Sequence, residues 1–165
     1  MLAVLLLGAT LATVGAGASS LAYFTSTASN TGSWSSGTII LGVSPSTTWT
    51  ATNIFPGDTG SRTVTVSSTG NGQLRYSMST AISGETNALA SQLALKVETG
   101  ACGSTTGTIY NSGLTGAAFG PRVLDPASSE QLCFTWTFAS TATSSYQAST
   151  ATATFTFDAV QTKNN

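Results

Sequence analysis

Apolar and polar residues alternate along most of the chain after residue 38. In six runs every second residue is apolar, and the residues between them are mainly Thr, Ser and Ala. This period of two predicts β-strands with one buried face. The apolar positions of the six runs lie within Ile39–Val43, Val64–Val66, Leu74–Met78, Leu93–Val97, Leu132–Phe138 and Ala153–Ala159.

Glycine and proline separate these runs. The turn signals are Pro56-Gly57-Asp58, Gly70-Asn71-Gly72, Gly113, Gly120-Pro121 and Asp125-Pro126. Many short strands with such punctuation predict an all-β fold, a jelly-roll-like β-sandwich. The stretch Glu85–Ala94 is the exception, because its composition favours a short helix before the strand at Leu93. Tyr146 is expected to begin the last strand region.

The first residues differ from the rest of the chain. Met1–Val14 is apolar, and no Asp, Glu, Lys or Arg precedes Asp58. The small residues Ala16-Gly17-Ala18 fit a signal-peptidase site, and Ser20-Leu21-Ala22 is a second candidate. The basic residues that usually begin a signal peptide are absent. A cleaved signal peptide is favoured, and a retained apolar helix, as in type-IV pilins, is the alternative. The predicted segments are a signal peptide or retained apolar segment at 1–22, an N-terminal donor strand at 23–36 and a β-sandwich domain at 37–165.

Charge is scarce. Only 7% of residues are Asp, Glu, Lys or Arg, against about 25% in ordinary domains. The net charge of −1 and the scattered basic residues argue against a nucleic-acid partner. Contact with a membrane is expected only through the N-terminal segment during export. Apolar residues make up 41% of the chain, which is enough to build a core.

The two cysteines, Cys102 and Cys133, form one disulfide if the protein is exported. Closing a loop of this length stabilises a fold by about 3 kcal/mol in the chain-entropy model. Two buried free thiols are the alternative.

Catalytic patterns are missing from the sequence. It contains no histidine, which removes the Ser-His-Asp, Cys-His and H-E-x-x-H arrangements. The six carboxylates have no helical i, i+3 or i, i+4 spacing, and Asp58 and Asp125 sit in proline-containing turns. The expectation is therefore a protein that is not an enzyme and binds no cofactor or metal. A calcium ion bound by Asp and backbone carbonyls is the alternative.

Three segments together resemble the TasA/camelysin family of exported fibre-forming matrix proteins, which is related to archaeal bundling pili and surface threads. They are LAYFTSTASNTGSWSSGTIIL at 21–41, FPGDTGSRTVTVSSTGNGQLRY at 55–76, and the strand and Tyr-Gln to Gln-Thr ending at 132–162. The chain departs from the family in its very low charge.

The resemblance implies a secreted or cell-surface filament subunit whose main partner is itself, with other matrix or surface proteins as further candidates. It also implies that an N-terminal segment of one subunit completes the sheet of its neighbour. An uncharged aromatic strand with no tight turn after it needs such a sheet edge. Pairing within its own domain is the alternative. The expected donor residues are Ala22, Tyr23, Phe24, Thr25, Ser26, Thr27 and Trp34.

Two other classes of function stay open at this point. The first is a secreted hydrolase, because camelysin-like relatives are described as proteases. The second is a monomeric adhesin or carbohydrate-binding module, in which Trp49 would be an exposed stacking platform.

Overall fold

The computed structural model describes residue 33 and residues 35–46 and 51–162. All described secondary structure lies in the unit Ser35–Asn165. The described strands are β1 (Leu41–Ser44), β2 (Thr59–Ser68), β3 (Leu74–Ser83), β4 (Leu93–Thr99), β5 (Gly107–Gly113), β6 (Ala118–Leu124), β7 (Ser129–Phe138) and β8 (Thr152–Gln161).

The strands form two antiparallel sheets. The five-stranded sheet has the order β1-β2-β7-β4-β5, and the three-stranded sheet has the order β6-β3-β8. The prediction of an all-β sandwich is therefore confirmed. The chain passes repeatedly from one sheet to the other, at β2 to β3, β3 to β4, β5 to β6, β6 to β7 and β7 to β8. This connectivity is consistent with a jelly roll.

The core lies between the inward faces of the two sheets. Val64 of β2, Phe134 of β7 and Leu95 of β4 come from the five-stranded sheet, and Tyr76 and Met78 of β3 come from the other. All five side chains are buried. Each is one of the apolar residues in an alternating run. The alternation in the sequence therefore corresponds to one buried face on each strand.

Four local expectations were incomplete or wrong. The strands β5 and β6 were missed because Gly107–Gly113 and Ala118–Leu124 lack regular alternation. Gly120-Pro121 is not a turn but lies inside β6, where the two residues form the bulge in the pairing with β3. The predicted helix is only a 3₁₀ turn at Leu89–Gln92. Tyr146 ends a second 3₁₀ turn and β8 begins at Thr152.

Cys102 and Cys133 form a disulfide. Cys133 points from the outer face of β7, and Cys102 lies in the loop between β4 and β5. The backbone N–H of Cys102 also donates a hydrogen bond to Oγ1 of Thr63 in β2. The loop is thus fastened to β7 and β2, two neighbouring strands of the larger sheet. No described helix is long and apolar enough to cross a membrane.

Candidate functional site

An uncharged groove of about 1170 Å³ opens between the two sheets, with apolar side chains from the strands and Ser and Thr from the loops in its lining. Val64, Phe134 and Trp136 line it from the larger sheet, and Phe155 and Phe157 of β8 line it from the smaller one. Small-molecule sites usually measure about 300–1,000 Å³. The groove is therefore large enough for a segment of polypeptide.

The inward side chains of β8 are less buried than those of β3. Phe155 and Phe157 follow the same alternation as buried β3 residues such as Tyr76, yet both are only half-buried. At the mouth of the groove, Phe55 is 69% exposed. Aromatic surface left in contact with water favours the docking of another apolar segment.

Glycine shapes the wall opposite β8. Gly60 of β2 pairs with Trp136 of β7. A Cβ atom at Gly60 would lie 2.7 Å from Nε1 of Trp136. The missing side chain therefore lets the indole lie close against β2, where it forms part of the groove lining.

Two strand edges flank this groove. β1 pairs only with residues 65–68 of β2, so among the described residues the half Thr59–Val64 has β7 as its sole neighbour. β8 pairs with β3 on one side, and no described strand covers its other side. Backbone N–H and C=O groups along such edges can pair with an added strand.

The chain enters the sandwich at the far end of β1. The N–H groups of Asn71 and Gly72 donate to the carbonyl oxygen of Thr38, at 3.0 Å and 3.2 Å. Oδ1 of Asn71 accepts from the N–H of Thr38 at 2.7 Å. From there the chain runs from Leu41, opposite Ser68, to Ser44, opposite Thr65. Gly37 and Thr38 therefore lie at the end of β1 that points away from the half of β2 that no described strand covers.

No residue that lines the groove carries a charge. The nearest charged cluster in the core is elsewhere, where β3, β6 and β7 meet. There Arg122 of β6 makes a two-pronged ion pair with Glu130 of β7, including a 3.0 Å bond from Nε to Oε2. The Tyr76 hydroxyl of β3 donates to the same carboxylate. The cluster thus links the two sheets.

The cluster shifts the pKa values of its members. Burial raises the pKa of Glu130, but the hydrogen bonds from Arg122 and Tyr76 and the charge of Arg122 outweigh burial, so its pKa lies below the usual range. Burial, and then the neighbouring Glu130 carboxylate, raise the pKa of Tyr76. The hydrogen bond to Glu130 raises the pKa of Arg122. At neutral pH the cluster is one anion, one cation and one neutral phenol.

The sequence did not predict this cluster. Arg122 and Glu130 are eight residues apart, which is no helical or turn spacing. The alternation did hold one indication: Glu130 is two residues before Leu132 and four before Phe134, so its side chain lies on the same inward face of β7. A carboxylate on the inward face of a strand requires an ion pair or hydrogen bonds to offset its loss of hydration.

The predicted donor residues Ala22–Thr27 and Trp34 lie outside the described residues, as do Met1–Ala22 and Trp49. The donor strand, the cleavage site and the Trp49 platform therefore stay predictions. The groove that could receive a strand lies inside the described part, and sequence reasoning did not locate it.

The fold and the groove define a class: a disulfide-linked β-sandwich with two strand edges that no described strand covers. A family profile described as camelysin metallo-endopeptidase matches residues 2–87, just over half of the chain. The chain therefore belongs to the camelysin family, and the resemblance found in the sequence is confirmed. Membership indicates a secreted or cell-surface protein. No curated protein matches the chain significantly.

This match corrects one expectation. The chain was expected not to be an enzyme, and the description of its family as a metallo-endopeptidase contradicts that expectation. The expectation rested on the missing histidines, which remove common catalytic patterns but do not define the activity of a family.

The residues present do not fit a peptidase metal centre. Zinc in such centres is held by histidine, cysteine thiolate and carboxylate, whereas this chain has no histidine and both cysteines are in the disulfide. All six carboxylates are within the described residues, where no three metal-ligating side chains cluster. Five of them accept hydrogen bonds or salt bridges from Phe55, Ala90, Lys96, Gln73 and Arg122. We therefore assign no catalytic step to these residues.

Proposed function

We propose that the protein is a structural subunit of an extracellular filament, such as a matrix fibre, pilus or surface thread. Subunits assemble head to tail, and the segment Ala22–Trp34 of one subunit adds a strand in the groove of the next. The observation that carries this proposal is the uncharged groove flanked by two strand edges. The donor segment is likewise without charge.

The chemistry of the two surfaces matches. Main-chain pairing along an open edge supplies affinity, and alternate side chains of the added strand fill apolar pockets. Tyr23, Phe24 and Trp34 supply large apolar side chains. The strands contribute apolar residues such as Trp136 and Phe157 to the groove, and the loops contribute Ser and Thr. Neither partner has to desolvate a charge on binding.

The course of β1 favours donation between subunits. Gly37 and Thr38 lie at the end of β1 away from the half of β2 that no described strand covers. To reach that half, the segment of the same molecule must turn back along β1. A segment from a neighbour has no such constraint. Donation between subunits does not close a ring, so it produces an open filament.

The test uses two complementary variants. One lacks the residues before Ser33 and keeps the groove; the other keeps the donor and carries Ala153→Trp, which fills the groove from β8. Neither should form filaments alone in electron microscopy, and a mixture should form one-to-one complexes in sedimentation. Ala94→Trp, an exposed change on the outer face of β4, is the matched control and should polymerise.

Circular dichroism and thermal unfolding establish that each variant is folded. Filaments from the truncated protein would show that this segment is not the donor. A folded, monomeric full chain whose truncated form unfolds would instead support pairing within one domain.

A peptidase is the second candidate function, and the description of the family favours it. Purified protein is incubated with denatured protein substrates, with and without a chelator. Chelator-sensitive cleavage that copurifies with the folded protein would establish the activity. Cleavage that separates from the protein on a further column would assign it to a contaminant.

The mature N-terminus is part of the same proposal. Residues 1–22 are a signal peptide or a retained apolar segment, 23–36 the donor segment and 37–165 the sandwich. Intact mass measurement of protein extracted from cells distinguishes the two alternatives, because removal of residues 1–22 gives a chain that starts at Tyr23 and keeps the donor segment 23–36. A start at Met1 would support the pilin-like alternative.

A further inference from the structure

The outer face of the three-stranded sheet has an unusual composition. On this face, strands β3 and β8 present alternate residues, and nearly all of them are small: Ser77, Ser79, Ala81, Ser83, Thr152, Thr154 and Thr156. Ala118 and Val123 of β6 extend the face on the other side of β3. Such side chains make a flat surface that another flat surface can approach closely.

This face carries two charges, Arg75 and Asp158. Arg75 pairs across the strands with Val160, and Asp158 pairs with Ser77, so the two charges occupy adjacent rows on neighbouring strands. Both side chains are exposed, and neither has an ion pair or hydrogen bond with another described residue. The other described ion pairs, Lys96–Glu98 and Arg122–Glu130, use different residues.

Arg75 also has an apolar neighbour on each adjacent strand. Val123 flanks Arg75 on β6 and Val160 flanks it on β8. They are 53% and 65% exposed, two of the four large hydrophobic side chains most exposed on the described surface. Two exposed valines lie beside one positive and one negative charge, neither of which is paired among the described residues. This combination is typical of a surface that binds another protein.

We propose that this face packs against the same face of a second copy of the chain. A two-fold axis in the plane of contact, midway between Arg75 and Asp158, places Arg75 of each copy opposite Asp158 of the other. The face is therefore self-complementary, as an isologous contact requires. Exposed valines become covered in the same contact. The proposal applies to isolated subunits and to filaments alike, so it does not depend on the donor strand.

The experiment is a charge exchange in the full chain. Arg75→Asp creates two Asp–Asp contacts across the axis, and Asp158→Arg creates two Arg–Arg contacts. The double variant restores two opposite pairs. Self-association is measured by sedimentation velocity on unpolymerised protein, and by the number of filaments in side-by-side contact in electron microscopy. Ala94→Asp on β4 is the control, because Ala94 is exposed on the outer face of the other sheet.

Each single exchange should weaken pairing about tenfold, because two favourable exposed pairs become two repulsive ones. The double variant should recover pairing, and Ala94→Asp should pair like the native protein. High salt should weaken the native pairing and strengthen that of the single variants. Pairing that survives both single exchanges, or that the double exchange fails to restore, would overturn the proposal. Single filaments without lateral contact would overturn it too, while leaving the donor strand supported.

Discussion

Tyr76 is a core residue with a polar function. Its ring is fully buried between the sheets, and its hydroxyl reaches Glu130 on the opposite sheet. The alternation of the sequence predicted the buried ring. It could not predict the hydroxyl contact, because the partner lies 54 residues further along the chain.

Replacing Tyr76 by Phe removes one hydrogen bond to a charged carboxylate. The free energy of unfolding should fall by about 1.5 kcal/mol, because Glu130 then loses one of its donors. Urea unfolding at neutral pH measures the change. Tyr146→Phe is the matched control, since its hydroxyl has no hydrogen bond with the described residues, and it should cost far less. Equal losses in both variants would argue against a role for the Tyr76–Glu130 bond.

Glu130 makes the free energy of unfolding depend on pH in the acidic range. Its pKa is lower in the folded protein than its ordinary value of about 4.3. The unfolded chain therefore binds its proton more tightly, and the stability supplied by this group is present above pH about 4.3 and lost as pH falls through the folded pKa. In Glu130→Gln, stability should be lower at neutral pH and should fall less on acidification. Unfolding curves from neutral to acidic pH check this, and parallel curves for the two proteins would contradict it.

At the scale of elements, the backbone of residues 38–39, just before β1, packs against the turn after β2, and this contact depends on a glycine. A Cβ atom at Gly70 would lie 2.2 Å from the carbonyl oxygen of Thr38 and 2.8 Å from Cα of Ile39. Both atoms belong to the backbone, so the segment must move away to admit a side chain. The turn was predictable from Gly70-Asn71-Gly72, but its contact with residues 38–39 was not, because the sequence does not show which strands meet.

Gly70→Ala should therefore destabilise the protein by about 1–3 kcal/mol, the usual cost of overpacking. Gly113→Ala is the matched control, because nothing lies within 4 Å of the Cβ position and its φ is not positive. It should be neutral or slightly stabilising. Thermal unfolding compares the two. Hydrogen exchange at Leu41–Ser44 should rise in Gly70→Ala alone, and unchanged exchange there would show that β1 does not depend on this contact.

Six of the eight described strands follow from period two, and the two missed strands show the limit of the pattern. β5 has the sequence GTIYNSG and β6 has AFGPRVL, in which apolar residues are adjacent or interrupted. Pairing with β4 and β3 holds these strands in place, so tertiary contacts override a weak local signal. The groove was equally hidden, because it is built from strands far apart in sequence.

At the scale of the whole molecule, the disulfide closes a loop that contains β5, β6 and the start of β7. Changing both Cys102 and Cys133 to serine should lower the free energy of unfolding by about 3 kcal/mol, because the unfolded chain gains conformational freedom. Chemical unfolding of the native and double-serine proteins under non-reducing conditions measures this. The native protein with reductant serves as an independent comparison, and no loss in either case would show that the loop is held by packing alone.

The position of the disulfide has a mechanical consequence. A subunit pulled from its two ends cannot extend the stretch between Cys102 and Cys133 while the bond is intact, and 31 residues separate the two cysteines. The intact bond therefore prevents about 100 Å of extended chain length from being pulled out. A thread built from such subunits would lengthen less before breaking, and a reducing environment would make it more extensible.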